Sequence, residues 1–183
     1  MFSHPAVFGA AAASGTLLIT DLRASTGTAE LVRPHLTPES TSTSRTLQFR
    51  VKVHSADCNS LAFHPANDYA LLTGSDDATI ALWDMRNLSK EVRRFDQQHR
   101  DGVLQVAWSP FAPSVFASSS ADQHLLVWDI RTSPGVIFDH RGHDSRIPDF
   151  SWHPTRPLIA SVAEDSSFQI WEASAVEQII NSI

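Results

Sequence analysis

The sequence predicts an all-β protein assembled from repeated units of short strands. The first observation is that Trp83, Trp128 and Trp171 follow one another at intervals of 45 and 43 residues. The second is that the residues before each tryptophan share one polar pattern at fixed offsets. The third is that short apolar runs alternate with turn residues, as β-hairpins require. Together these observations predict one small antiparallel sheet for each repeat.

The polar pattern has four positions in each repeat. An Asp lies six residues before the tryptophan, a Ser or Thr lies ten before it, and a His lies 28 or 29 before it. The three sets are His54, Thr73, Asp77 and Trp83; His99, Ser118, Asp122 and Trp128; and His143, Ser161, Asp165 and Trp171. A proline that closes an aromatic-x-Pro step lies eleven residues after each His.

Serine, histidine and aspartate are also the components of a hydrolase site. An enzyme needs one such set in one place, whereas this set recurs once in every unit. A buried polar group without a partner costs about 1 to 3 kcal/mol, so a chain of mutual hydrogen bonds gives each residue a structural purpose. We therefore predict no catalytic residue and no cofactor. We also predict no metal site at His140, His143 and His153, because the histidines and the one cysteine show no zinc-site spacing.

The repeats resemble WD repeats, the units of β-propellers. In that family the Trp of the third strand, the Ser or Thr of the second, the Asp of the turn between them and the His of the preceding loop form a hydrogen-bonded chain. The resemblance implies a WD-repeat β-propeller with about three and a half blades present. A closed ring usually has about four to eight blades. We therefore expect a piece of a longer protein with about seven blades, or alternatively an open array with exposed edge strands.

Four segments are predicted along the chain. Residues 1–23 form a degenerate repeat, in which Thr20 stands in place of the tryptophan. Residues 24–46 are rich in Ser and Thr without an apolar period, which predicts a flexible surface insertion. Residues 47–173 contain the three intact repeats. Residues 174–183 have apolar residues at helical spacing and predict a short C-terminal helix.

Composition restricts the classes of partner. With 42% hydrophobic and 19% charged residues, the chain of 183 residues is typical of a soluble globular protein. Its net charge of −6 disfavours direct nucleic-acid binding and suits basic protein partners. The single cysteine, Cys58, excludes an internal disulfide. No apolar run reaches the roughly 18 residues of a membrane span, so no membrane partner is predicted.

Three motifs are more specific than a lone Trp-Asp pair: WDMRNL at 83–88, QVAWSP at 105–110 and IPDFSWHP at 147–154. Through them the chain resembles the C-terminal half of the WD-repeat histone-binding family, the MSI-like retinoblastoma-binding and chromatin assembly factor small subunits. The resemblance implies a non-catalytic scaffold that presents histones to chromatin assembly, remodelling and modifying complexes. It also implies a location in the nucleus, with the cytoplasm as a second location.

The resemblance further implies a site for the histone H3 tail on one end of the ring. The positions that correspond to family contacts are Asp57, Asn59, Leu104, Arg146 and Glu164. Asp57 replaces a Glu, Leu104 replaces a Phe, and Gly102 stands where the family has an acidic residue, so we expect a weakened site. Binding of the histone H4 helix is not predicted, because the acidic loop that it needs is reduced to RTSPGV at 131–136.

Two other interpretations remain open. Arg86 and Arg131 complete WDxR motifs, which resemble those by which WD-repeat proteins dock onto adaptors of cullin-based ubiquitin ligases. This alternative makes the chain a substrate receptor of such a ligase. Another WD-repeat scaffold, for example in ribosome assembly, is the remaining alternative, and the five end-face residues would then be solvated side chains without a ligand.

Overall fold

The computed structural model describes residues 7–21, 47–133, 135–173 and Val176. The predicted insertion at 24–46 lies outside the described residues, as does the predicted helix at 174–183 apart from Val176. The described residues form fourteen β-strands in four antiparallel sheets, with a short 3-10 turn at Ala13–Gly15. The predicted all-β fold class is confirmed.

Within each sheet, strands that are neighbours in sequence are also neighbours in space. The first sheet contains β1 (Val7–Ala12), β2 (Thr16–Asp21) and β3 (Leu47–Lys52). The second contains β4 (Cys58–Phe63), β5 (Ala70–Ser75), β6 (Ile80–Asp84) and β7 (Arg93–Phe95). The third contains β8 (Val103–Trp108), β9 (Val115–Ser120), β10 (Leu125–Asp129) and β11 (Val136–His140). The fourth contains β12 (Asp149–Trp152), β13 (Leu158–Val162) and β14 (Phe168–Glu172).

Apolar side chains join each sheet to the next, because the strands carry apolar residues on both faces. The junction of the first two sheets includes Leu17, Ile19, Leu71, Ala81 and Trp83. The next junction includes Leu72, Ile80, Val106, Phe116 and Trp128. The last includes Leu125, Val127, Ile147, Phe150 and Ile159. Burying one such side chain fully contributes about 1.5 to 3 kcal/mol, so the junctions hold the four sheets together as a partial β-propeller.

A hydrogen-bonded chain crosses the third sheet from its tryptophan to its aspartate. Trp128 Nε1 donates to Ser118 Oγ over 2.8 Å, and the same oxygen lies 2.7 Å from His99 Nε2. His99 Nδ1 lies 2.9 Å from Asp122 Oδ2. A neutral histidine with its proton on Nδ1 satisfies every atom in this order, since Ser118 then donates to His99 and His99 donates to Asp122. The chain ties the loop before β8 to the turn between β9 and β10.

The second sheet has the same chain with a longer final contact. Trp83 Nε1 donates to Thr73 Oγ1 over 3.0 Å, and that oxygen lies 2.8 Å from His54 Nε2. His54 Nδ1 lies 3.2 Å from Asp77 Oδ2 and 3.1 Å from Thr79 Oγ1. Asp77 and Thr79 therefore both contact His54 Nδ1, whereas in the third sheet Asp122 is the partner of His99 Nδ1.

The fourth sheet departs from the predicted chain at its last link. Trp171 Nε1 donates to Ser161 Oγ over 3.3 Å, and that oxygen lies 2.8 Å from His143 Nε2. His143 Nδ1 is bonded to Ser167 Oγ at 2.7 Å, while Asp165 Oδ2 is 3.9 Å away. The prediction that Asp165 hydrogen-bonds to His143 is therefore wrong. The physical reason is that the hydroxyl two residues after the aspartate reaches the imidazole first, and the carboxylate instead accepts backbone N–H groups of Asp144 and Ser167.

The carboxylates of the first two chains have low pKa values. Burial by itself raises the pKa of Asp77, but hydrogen bonds, chiefly from Thr79, together with His54, lower it to about 2. Burial by itself also raises the pKa of Asp122, but the hydrogen bond and charge of His99 lower it to about 2. The pKa of His54 is lowered from 6.5, mainly because burial disfavours the imidazolium.

The paired serines of β9 provide a test of the hydrogen-bonded chain. Ser118→Ala leaves the buried polar atoms of Trp128 and His99 without their partner, so we expect it to lower the free energy of unfolding by about 2 kcal/mol or more. Ser119 is equally buried at 0% exposure, but its Oγ has no hydrogen-bond partner among the described residues. Ser119→Ala is therefore the matched control and should not destabilise. Urea unfolding measures both, and equal losses would contradict the interpretation.

The low pKa of Asp122 predicts that stability falls in acid. A carboxyl whose pKa is lower in the folded state stabilises above its unfolded pKa, and this stabilisation is lost as the pH falls through the folded value. The lowered pKa of His54 acts in the same direction below 6.5, because the unfolded state binds more protons. We expect Asp122→Asn to cost about 2 kcal/mol near neutral pH and much less near pH 2, the folded pKa of Asp122. Urea titrations at the two pH values check this, and an equal cost at both would contradict it.

Candidate functional site

One end of the three intact repeats, those of the second, third and fourth sheets, forms a surface that we name the end face. In each repeat a backbone N–H of the turn between the second and third strands donates to a carbonyl near the start of the first strand. The bonds run from Asp76 to Asp57, from Ala121 to Gly102 and from Glu164 to Arg146, over 3.0, 2.9 and 3.1 Å. Because the bond is the same each time, these six positions are equivalent in the repeat and lie at the same end of their sheets.

Asn59 and Leu104 belong to the end face through two β-bulges. The ladder of β4 with β5 shifts register between Cys58 and Ser60, and that of β8 with β9 shifts between Val103 and Gln105. A bulge redirects the side chain of the extra residue. The amide nitrogen of Asn59 accordingly donates to Asp76 Oδ1 over 2.5 Å and to the carbonyl of Val103 over 3.0 Å.

The equivalent position of the fourth sheet has no bulge. β12 pairs regularly with β13 from Asp149 to Trp152, and the position that corresponds to Asn59 is Pro148, just before the strand. Leu104 itself is half-buried. Asn59 and Leu104 thus occupy equivalent positions on two neighbouring sheets. The equivalent position of the fourth sheet is Pro148, which is not part of a bulge.

Arg146 and Glu164, which were both predicted as site residues, form an ion pair with each other. Arg146 Nε donates to Glu164 Oε1 over 2.6 Å, and the two side chains are 54% and 46% exposed. Such an exposed ion pair contributes at most about 1 kcal/mol, so either partner can exchange it for another charged group at small cost. In the free protein Arg146 neutralises the charge of Glu164. A competing cation can replace Arg146 at little cost.

Asp57 and Asp76 are two further carboxylates of the end face, and both residues are exposed. Asp57 Oδ1 accepts the backbone N–H of Ser14 over 2.6 Å, which joins the first sheet to this surface. Asp76 accepts the amide of Asn59. No cation is bonded to either carboxylate among the described contacts, so this part of the end face keeps its negative charge.

Asp76 was not among the residues predicted from the sequence. A signal for it was present, since Asp76 lies seven residues before Trp83 just as Glu164 lies seven before Trp171. A Cβ on Gly102 would lie 2.7 Å from Asp76 Oδ1, so the glycine leaves room for this carboxylate. The carboxylate of Asp76 thus lies beside position 102, where the resemblance implies an acidic side chain.

Arg86 and Arg131 lie at the opposite end, because β6 and β10 run from the end-face turns toward them. Arg86 donates through Nε and Nη2 to the two oxygens of Asp84 over 2.9 and 2.6 Å. Arg131 does the same with Asp129 over 3.1 and 2.9 Å. The arginine side chains remain 62% and 49% exposed. The two motifs therefore present one geometry twice, with part of each guanidinium open to a partner.

The hydroxyl and imidazole groups of the serine–histidine–aspartate sets are buried, while the aspartates lie in the turns between strands. Ser118 is fully buried and accepts the N–H of Trp128, so its oxygen is not placed to attack a substrate. In the ranges that the structure describes, no group of three or more His, Cys, Asp or Glu side chains is placed to hold a metal ion. No helix in those ranges has the length and apolar character needed to cross a membrane.

Comparison with known families matches the model of the WD domain, G-beta repeat, to residues 45–84, 89–129 and 135–172. Each matched segment ends at the residue that follows one of the three tryptophans, and together the segments cover more than half of the chain. Proteins built from these repeats generally act as non-catalytic scaffolds that bind other proteins. The match and the hydrogen-bonded chains agree that the chain belongs to the WD-repeat family.

Proposed function

We propose that the chain is a non-catalytic scaffold of chromatin assembly or modifying complexes that binds the basic N-terminal tail of histone H3 on its end face. The observation that carries this proposal is the set of carboxylates of Asp57, Asp76 and Glu164 on that one surface. Carboxylates form strong charge-assisted hydrogen bonds with Arg and Lys. The net charge of −6 adds long-range attraction for a basic peptide. The proposal implies a nuclear location, with the cytoplasm as a second one.

The contacts already made at the end face indicate how a peptide would bind. Asn59 and Asp76 hold each other, and Asp57 holds Ser14, so these side chains are fixed before a ligand arrives. Fixed groups lose little conformational entropy on binding. A peptide cation near Glu164 would replace Arg146, which is an exchange of one exposed ion pair for another.

A titration with an H3-tail peptide tests the proposal. We expect Asp76→Asn and Glu164→Ala each to weaken binding several-fold, and Leu104→Phe to tighten it about fivefold through a larger apolar contact. Affinity should also fall with added salt, since exposed charges are screened. Glu172→Gln is the matched control, because this exposed carboxylate lies at the other end of β14. Salt-independent binding, or one affinity for all variants, would refute the assignment.

Arg146 offers a second and opposite test of the same surface. Removing its guanidinium by Arg146→Ala frees the Glu164 carboxylate that it pairs with. We expect this variant to bind the H3-tail peptide more tightly than the wild type at low salt, because no internal cation has to be displaced. Isothermal titration calorimetry measures the change. Weaker binding would mean that Arg146 itself contacts the peptide.

The paired WDxR geometry favours docking onto a cullin-ligase adaptor as a second candidate function. We expect Arg86→Ala combined with Arg131→Ala to abolish co-purification of such an adaptor, since both guanidinium groups are exposed. The melting temperature should fall somewhat, because the buried carboxylate of Asp129 loses its cation. Arg141→Ala is the control, because Arg141 pairs with Asp139 at the same two-residue spacing outside a WDxR motif. Unchanged co-purification in the double variant would leave these arginines without this role.

A further inference from the structure

The loop between β6 and β7, residues 85–92, contains one exposed serine. Ser89 lies in a turn, and its Oγ and its backbone N–H both donate to Asn87 Oδ1, over 2.6 and 3.2 Å. Among the described contacts, this amide oxygen is the one partner of the hydroxyl. Exposed loops are the segments that modifying enzymes reach most easily, because they open at low cost. Ser89 is therefore a candidate for modification.

Basic residues precede and follow Ser89 at short spacing. Arg86 lies three residues before it and Lys90 directly after it, and both are exposed. In the described ranges no other Ser or Thr lies three residues after an arginine. Protein kinases select their substrates partly by such charge patterns, and the basophilic class requires a cation three residues before the hydroxyl. The Arg86 side chain is 62% exposed although it pairs with Asp84, so it is open to the carboxylates of a kinase.

Ser89 lines a groove of about 410 Å³ between the first two sheets, and two cations line the same groove. One is Lys52 at the end of β3, which is exposed and has no acidic partner among the described residues. The other is Arg94 of β7, whose Nε donates to Glu91 over 3.3 Å. A water molecule takes about 30 Å³ of liquid, so the groove has room for a phosphoryl group and several waters.

We infer that Ser89 is a phosphorylation site and that its phosphate is held in the groove by Lys52 and Arg94. The co-substrate is ATP, and the enzyme is a basophilic protein kinase. Ser89 Oγ attacks the γ-phosphorus, the bond from that phosphorus to the β,γ-bridging oxygen breaks, and ADP leaves while a base of the kinase takes the hydroxyl proton. The product carries about −1.5 to −2 charges beside the two cations. The inference does not depend on histone binding or on adaptor docking.

The phosphate exchanges a contact within one sheet for a contact between two sheets. The esterified Oγ has no hydrogen to donate, so Asn87 Oδ1 keeps the backbone N–H of Ser89 and loses the hydroxyl. The phosphate oxygens instead accept from Lys52, which belongs to the first sheet, and from Arg94. Glu91 yields Arg94 at little cost, because their ion pair is partly exposed. Phosphorylation therefore ties the first sheet to the loop of the second.

A kinase assay on the full chain tests the modification. The probe is a calmodulin-dependent protein kinase with ATP, and the background is Thr26→Ala, because Thr26 also follows an arginine by three residues and lies outside the described residues. We expect mass spectrometry to find the phosphate on Ser89, and Arg86→Ala to slow its addition about tenfold or more. Arg141→Ala is the matched control, since Arg141 also pairs with an aspartate two residues earlier. An unmodified Ser89, or an equal loss in both variants, would overturn the inference.

Phosphorus NMR tests whether the groove holds the phosphate. Nearby cations favour the dianion, so we expect the second pKa of the phosphate to be lower by about 0.5 or more in the folded chain than in a phosphorylated peptide of residues 84–94. Lys52→Ala should return the pKa toward the peptide value. Arg50→Ala is the control, because Arg50 is an exposed cation of the same strand that does not line the groove. The melting temperature of each variant checks that the fold is intact. One pKa for protein and peptide, or equal effects of the two variants, would show that the groove does not hold the phosphate.

Discussion

The structure depends on one small group in each repeat, the hydroxyl of Thr73, Ser118 or Ser161. This oxygen accepts the indole N–H of the tryptophan and contacts the imidazole of the histidine. The hydroxyls and the histidines are buried in all three repeats, whereas the tryptophan is buried in two of them and partly buried in the third. Because a buried hydroxyl has few other ways to satisfy both neighbours, the distance between the preceding loop and the third strand is fixed. The loop and the turn of each of these three repeats therefore lie side by side at the same end of the sheet. The end face is built from these loops and turns.

On this surface the backbone positions are the same in each repeat, while the side chains that they carry differ. The backbone bonds of the end face are alike in all three repeats, yet the side chains on them are Asp, Gly and Arg in one row and Asp, Ala and Glu in the other. Sequence changes at these positions alter charge and shape without disturbing the hydrogen-bonded chains beneath. This explains how a WD-repeat scaffold can acquire a binding site for a particular peptide while its tryptophans, serines and histidines stay fixed by packing.

The same separation explains which features the sequence could predict. The periods of 45 and 43 residues and the polar offsets, together with the resemblance to WD repeats, were sufficient for the all-β fold, one antiparallel sheet in each repeat and the first two chains. They could not decide between Asp165 and Ser167 as the partner of His143, because both lie within reach of one imidazole and only geometry shows which is nearer. The bulges at Asn59 and Leu104 were also invisible, since a shift of one residue in a ladder leaves no mark in the repeat spacing.

The edge of β14 shows what a repeat needs from its neighbours. Ile80, Leu82, Leu125 and Val127 are buried because another sheet packs on their face and a fourth strand lies beside them, whereas Phe168 and Ile170 have neither among the described residues. Burial of an aromatic or branched side chain contributes about 1.5 to 3 kcal/mol, so each sheet draws a substantial part of its stability from the sheet that packs on it. The end face and the junctions between sheets are held by different forces. Binding at the carboxylates of the end face should weaken with added salt, while the apolar junctions between sheets are far less sensitive to it, so the surface and the packing that supports it respond differently to ionic strength.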